Sequence, residues 1–293
     1  MSSSNMHDIR THIKTVQETM QITKAMHLIS TAKMQKAMKR YDANAVYLSL
    51  VRQTMKDMIA HRLGGQTHPF LQERADTTAA HIVIAGDKGL AGGYNHNVLN
   101  LAAEHMKGHE ELSILTVGQI AREFLTKKGY MVDVEFLHVA QNPTLDNARQ
   151  ITDTVIDMFK QNLLNQVYIC YTKMISPIKQ EARVMRLLPV YLSDFDDVED
   201  LAPYEGEMLY EPDARTMFDY VVPQYIIGVI YSCLVQSYAS EHCARMQAMD
   251  AATRNAEEMI EKLQKQYNRA RQNAITEEIN EIVSGTEAQS RRS

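Results

Sequence analysis

Tryptophan is absent from this 293-residue sequence, and phenylalanine occurs only 6 times. With a net charge of −5 and a pI of about 6.1, the chain lacks both the rings and the surplus positive charge of an aromatic-basic nucleic-acid platform. Its 3 cysteines, Cys170, Cys233 and Cys243, show no CxxC spacing and fit free thiols in a reducing compartment. The N-terminus, MSSSNMHDIR, lacks an apolar signal core, and no apolar run approaches the ~20 residues of a membrane span. A cytosolic chain, or one held at a membrane only through partners, is expected.

The absence with the largest consequence is that of helix breakers. Neither Gly nor Pro occurs in residues 1–63 or in residues 229–284. Uninterrupted helices of that size, at ~1.5 Å per residue, could each reach roughly 80–90 Å, against a mean globular helix of about 11–12 residues. Such a chain suits a lever or spacer better than a compact enzyme. The 45% apolar content still suffices for a real core between the two helices.

Along the first helix, steps of four and three select a coiled-coil seam. It comprises Ile9, Ile13, Val16, Met20, Thr23, His27, Ser30, Met34, Ala37, Tyr41, Asn44, Leu48, Val51, Met55 and Met58. The last helix offers Tyr231, Val235, Tyr238, His242, Arg245, Met249, Ala252, Ala256, Met259 and Leu263. Both seams are polar or small in the middle. Because the helices flank one domain, intramolecular antiparallel pairing is the simplest arrangement. A homodimeric coiled coil is the alternative, although a strong zipper would want Leu or Ile throughout.

From about residue 78 the period changes. Strands are expected at 81–85, 112–117, 132–136, 167–172 and 182–190, with helices at 95–106, 120–128 and 145–164. That alternation implies a Rossmann-like α/β sheet, after which Pro203, Pro212 and Pro223 punctuate the route into the last helix. The fold class read from the pattern is therefore α/β, a long antiparallel coiled coil of the terminal helices plus a central Rossmann-like domain. The segments are 1–63, 78–200 and 212–284, followed by a polar tail at 285–293.

Gly86-Asp-Lys-Gly-Leu-Ala-Gly-Gly-Tyr-Asn95 stands between a strand and a helix, where phosphate loops stand. It is neither a Walker loop nor GxGxxG, and the second strand ends Thr116-Val117-Gly118 without a ribose-binding carboxylate. A tight turn or a partner-contact loop is the better reading. The 11 histidines contain no HExxH motif. His105 and His109 have i,i+4 spacing, but Gly108 interrupts and no third ligand is near in sequence, so no metal site is expected. No cofactor and no catalytic constellation is read.

Charge is uneven. Between residues 10 and 56, Arg10, Lys14, Lys24, Lys33, Lys36, Lys39, Arg40, Arg52 and Lys56 face only Glu18 and Asp42, whereas residues 191–213 carry acidic groups and no basic one. Both can be solvated faces. The functional alternative lays the basic helix against acidic partner surfaces.

Three blocks in order carry a resemblance. Ile22-Thr-Lys-Ala-Met26 is followed by Ala32-Lys-Met34, then by Gly89-Leu-Ala-Gly-Gly-Tyr-Asn95. Ser240-Glu-His-Cys-Ala-Arg-Met-Gln-Ala-Met-Asp-Ala-Ala-Thr-Arg-Asn255 is the most specific, continued by Tyr267-Asn-Arg-Ala-Arg-Gln-Asn-Ala-Ile-Thr276 and Glu278-Ile-Asn-Glu-Ile-Val283. Over nearly its whole length the chain resembles the gamma subunits of F-type ATP synthases. The resemblance implies a non-catalytic central rotor turning inside a ring of alpha and beta subunits, joined below to epsilon and the c-ring. It also implies a place on the cytoplasmic face of the cell membrane, reached only through the complex.

The resemblance further implies roles by position. Arg271 and Gln272 match the pair that catches a beta loop. Lys24 and Met26 match the helix face passing the beta lever, and Ala91 lies in a loop corresponding to a segment near that lever. Arg245 and Thr276 match positions tied to coupling, and Glu278 belongs with the same alpha/beta contacts. The chain departs from the family in its polar tail, in Glu277 for a frequent Gln, in Ala91 for an occasional Cys, and in His27, Ser30 and Thr31 along the seam. It also lacks the close cysteine pair of chloroplast members.

Overall fold

The computed structural model describes residues 2–60, 68–72, 74, 78–109, 111–199 and 213–290. In order, these form α1 (Ser2–Ala60), β1 (Ala79–Ile84), α2 (Tyr94–Met106), β2 (Leu112–Val117), α3 (Gln119–Lys127), β3 (Val134–Phe136), α4 (Leu145–Lys160), β4 (Gln166–Met174), β5 (Gln180–Leu188) and α5 (Ala214–Ser290). The chain divides into two compact units, Met1–Ile29 with Met246–Ser293, and Ser30–Arg245. Residues 61–63, 200 and 212, where the sequence suggested boundaries, lie outside the described residues. The division into these two units passes through both long helices, whose inner halves carry apolar residues that complete the sheet's core.

That sheet has the order β3-β2-β1-β4-β5. β1 pairs in parallel with β2 and β4, β2 in parallel with β3, and β4 antiparallel with β5. Strand alternation sends successive β1 side chains to opposite faces. Ala80, Ile82 and Ile84 join Ile151, Val155 and Phe159 of α4, Val222, Ile226 and Ile230 of α5, and Met55 and Met58 of α1. Val83 joins Val98, Leu99, Ala102 and Met106 of α2 with Ala121 and Leu125 of α3. Helices thus cover both faces of a mostly parallel sheet, which is why its strands read as nearly continuous apolar runs.

Two expectations need correction. Pro223 does not precede the last helix but lies inside α5. A proline there forfeits a backbone hydrogen bond, yet Val222 and Ile226 beside it are fully buried and hold the segment in the core. α5 also has a window of mean hydropathy 1.4, long and apolar enough for a span by composition, contrary to the sequence reading. Since 67% of that window is buried, it reads as a core helix. The backbone of α5 continues helical through Gly285 to Ser290.

In the unit formed by Met1–Ile29 and Met246–Ser293, Val16, Ala256 and Leu263 pack with Ile9, Ile13, Met20 and Ile260. Thr23 meets Thr253 and Lys24 meets Glu257 there. Within the Ser30–Arg245 unit Asn44 meets Ser232 and Tyr47 meets Gln224, so residue numbers rise on α1 as they fall on α5, and the pair is antiparallel. The first seam holds throughout, for none of its positions is exposed. The second slips. Met259 is 45% exposed, while Thr253 is buried and Ile260 joins the cluster.

Candidate functional site

Residues 85–93, between β1 and α2, are anchored from three sides in the Ser30–Arg245 unit. Gly86 N donates to Asn95 Oδ1 at 2.8 Å, and Gly86 O accepts from Ile120 N at 3.2 Å. Asp87 Oδ1 accepts from Gln119 N at 2.8 Å, satisfying a free donor at the start of α3. Arg245 of α5 closes the third side, donating to Gly89 O at 3.1 Å and Lys88 O at 3.4 Å.

Arg245 is itself fixed by Glu241, one turn earlier, in a 2.6 Å ion pair whose two side chains are each 9% exposed. A Cβ on Gly86 would lie 3.0 Å from the Glu241 carboxyl carbon, so the carboxylate sits where only glycine leaves room. Burial raises the Glu241 pKa above the ordinary carboxylate range, and Arg245 opposes that shift. His242 is pushed down to about 3, first by burial and then by Arg245 and Lys33. Its imidazole is therefore neutral and free to accept from Arg245 Nη1 at 3.3 Å through Nδ1.

This is a clamp on a loop rather than a catalytic or anion site. Asp87 and Glu241 bring negative charge to the crevice, which disfavours a phosphate. At the loop's tip Leu90 takes a left-handed backbone (φ +61°) and is 65% exposed. Bulky residues seldom adopt that conformation, and strain of this kind gathers at contact sites. Ala91 beside it is buried with Tyr94 and Ala244.

A second candidate surface lies at the far end of α5. From Ile275 to Ser284 every described side chain is exposed. Ile275, Ile279, Ile282 and Val283 form an apolar stripe there at helical spacing.

The comparisons with known proteins decide the family. The ATP synthase family model matches residues 5–289. The ATP synthase gamma chain of Ruminiclostridium cellulolyticum is 40% identical over 291 residues, covering 98% of this chain and 99% of that one. That of Caldanaerobacter subterraneus subsp. tengcongensis is 41% identical over 291 residues, covering 95% and 98%. This chain belongs to the ATP synthase gamma-chain family. In fold it is also similar to a chain of the Euglena gracilis mitochondrial ATP synthase OSCP/F1/c-ring structure. That match has TM-score 0.67 and 16% identity, and covers 98% of this chain and 95% of that one.

The gamma-family positions fall into two sets. Arg271, Gln272, Thr276 and Glu278 all lie exposed along the end of α5, with Thr276 Oγ1 donating back to Gln272 O at 2.9 Å. Lys24 is about half-exposed and paired to Glu257 at 2.9 Å, and Met26 is partly buried. Ala91 and Arg245, in contrast, face inward and belong to the loop clamp. Leu90 is the large apolar residue that the loop exposes, beside exposed Lys88. The sequence reading missed it because the positive φ that turns it outward has no signature in a leucine.

Part of the charge asymmetry is spent within the chain itself. Arg52 binds Asp197 through both guanidinium nitrogens at 2.5 and 2.9 Å, and Lys56 Nζ donates to Val198 O at 2.6 Å. These two members of the basic helix thus face the acidic segment of their own chain rather than a partner. Residues 200–212 of that segment lie outside the described residues.

One group among the described residues could hold a metal ion: His81, His105 and His109. The sequence reading set His105 and His109 aside for want of a third ligand. β1 supplies it from 24 residues upstream of His105. The available signal was a histidine in the middle of an otherwise apolar strand.

Proposed function

We propose that this chain is the non-catalytic rotor of an ATP synthase, transmitting torque between a c-ring and an alpha/beta hexamer. Epsilon would bind beside it, at the cytoplasmic face of the cell membrane. The observation that carries this reading is the exposed end of α5. There Arg271, Gln272, Thr276 and Glu278 stand beside an uncovered apolar stripe of Ile275, Ile279, Ile282 and Val283. Such a stripe on a helix end calls for a surrounding partner surface.

Energetics favour contacts spread along a shaft. Each charge crossing the membrane supplies ~2.3 kcal/mol per 100 mV, whereas an exposed ion pair contributes about 0–1 kcal/mol. No single contact can therefore bear the torque. The test is co-expression with alpha and beta. One copy per hexamer, with ATPase activity dependent on this chain, supports the reading. A free chain beside a fully active hexamer refutes it.

A further inference from the structure

We propose that His81, His105 and His109 form a zinc-class metal site that pins the end of α2 to the central strand of the sheet. One ligand atom from each histidine lies within 4.8 Å of those of the other two. The three rings stand 5.1–5.2 Å apart, centroid to centroid. Their elements fix this convergence. His81 points from β1 to the face covered by α2, His105 sits in the last turn of α2, and His109 follows the turn that ends that helix.

The nitrogens are disposed for coordination. His81 Nε2 and His105 Nδ1 already face each other at 2.9 Å. His109 Nδ1 lies 3.2 Å from His105 O. Donation from that Nδ1 leaves the lone pair on Nε2, and a ring held by a backbone carbonyl is the usual support for a ligating histidine. For His81 to ligate through Nε2, its proton must sit on Nδ1. That atom is buried without a hydrogen bond, so it has no acceptor to compete with a proton held there.

Three imidazoles suit zinc, cobalt, nickel or copper rather than magnesium or calcium. Tyr168 packs within 4.6–5.4 Å of all three rings, but its hydroxyl donates to Gln166 Oε1 at 2.8 Å and is not aimed at the centre. His105 and His109 are only partly buried, which leaves a path for the ion and a fourth position for water.

Cobalt(II), which reports its coordination in the visible spectrum, is the probe. The full untagged chain, stripped of metal, is titrated with Co²⁺ and then with Zn²⁺. The complex containing the chain is assayed for bound zinc in parallel. One equivalent of Co²⁺ should give intense d–d bands that Zn²⁺ abolishes, and Zn²⁺ should raise the thermal midpoint. The His105→Ala/His109→Ala variant should retain its far-UV circular dichroism but weaken binding by more than about a hundredfold, beyond the loss of an outer-shell partner. His96→Ala, on the exposed side of α2, should bind as the parent does. Absent d–d bands, sub-stoichiometric binding, or equal binding by the double variant would each overturn the site and leave only packed rings.

Discussion

Arg245 and Glu241 form a buried 2.6 Å ion pair, and the same guanidinium reaches on to Gly89 O at 3.1 Å. Removing one partner strands a buried charge. Arg245→Ala should therefore destabilise the chain by about 3–5 kcal/mol. The combined change Arg245→Met with Glu241→Leu should cost less, because no ion is left unpaired. Both variants should speed amide exchange in residues 88–92, since the loop loses its anchor. Denaturant unfolding and hydrogen exchange separate the two effects. Unchanged exchange in the loop would show that Arg245 does not hold it.

Gly118 gives a second, sharper constraint. A Cβ there would stand 2.1 Å from Ala85 O, at φ +97°. Gly92 also has positive φ (+53°), but nothing would meet its Cβ within 4 Å. Gly92→Ala should cost about 1–2 kcal/mol, the strain of a left-handed residue alone. Gly118→Ala must add displacement of the β1–α2 backbone and should exceed that by about 2 kcal/mol or more. Equal thermal midpoints for the two variants would refute the steric account.

Much of this was legible beforehand, for identifiable reasons. β2 is an apolar run bounded by turns and was placed at its observed limits, 112–117. The α1 seam was readable because apolar and small residues recur without a stutter. The α5 seam lost phase near Met259 because Met259 and Ile260 are both apolar, and buried Thr253 sets the register. Composition cannot rank a threonine above an alanine there. Arg245 and Ala91 were placed among the contacts by position, through the family resemblance, which says nothing of burial. Their burial depends on Glu241 and Tyr94, which only the tertiary fold brings near. His81 joined His105 and His109 by the same route, across a strand–helix crossover.

His242 predicts a pH dependence. Its pKa is lowered to about 3 in the folded chain, against an ordinary 6.5. The unfolded chain therefore binds the extra proton between these values, and stability falls as pH drops from about 6.5 toward 3. Each such proton contributes up to roughly 1.4 kcal/mol per pH unit. The groups around it are Arg245, Lys33 and Tyr238, of which the two cations both oppose protonation. Glu241 works in the opposite sense: its raised pKa favours the folded state as pH falls below that value. His242→Gln should flatten the acid limb of the stability curve. An unaltered slope in urea titrations at several pH values would refute the assignment.

Within the Met1–Ile29/Met246–Ser293 unit, the hydroxyls of Thr23 and Thr253 stand 2.7 Å apart, and each also meets a carbonyl of its own helix, Met20 O and Met249 O. Either threonine can keep its local bond when the other is lost. Thr23→Val or Thr253→Val alone should cost about 1 kcal/mol. The pair changed together should cost clearly less than the sum, with a coupling near 1 kcal/mol. Strict additivity in a double-mutant cycle would mean that the two helices register through apolar packing alone.

Arg271 and Gln272 test the exposed end of α5 most directly. Both are exposed, so Arg271→Ala/Gln272→Ala should move the stability of the chain by no more than about 0.5 kcal/mol. If this surface bears torque, coupled ATP synthesis in the assembled complex should fall all the same. With contacts individually worth ~1 kcal/mol, a reduction of about fivefold is expected rather than abolition. Replacing Lys24 as well, on the other helix of the same unit, should lower synthesis further without unfolding the chain. The readouts are ATP synthesis in proteoliposomes and the thermal midpoint of the free chain. Unchanged synthesis would move the working contacts elsewhere along α5, whereas a fallen midpoint would show that these side chains stabilise the helix itself.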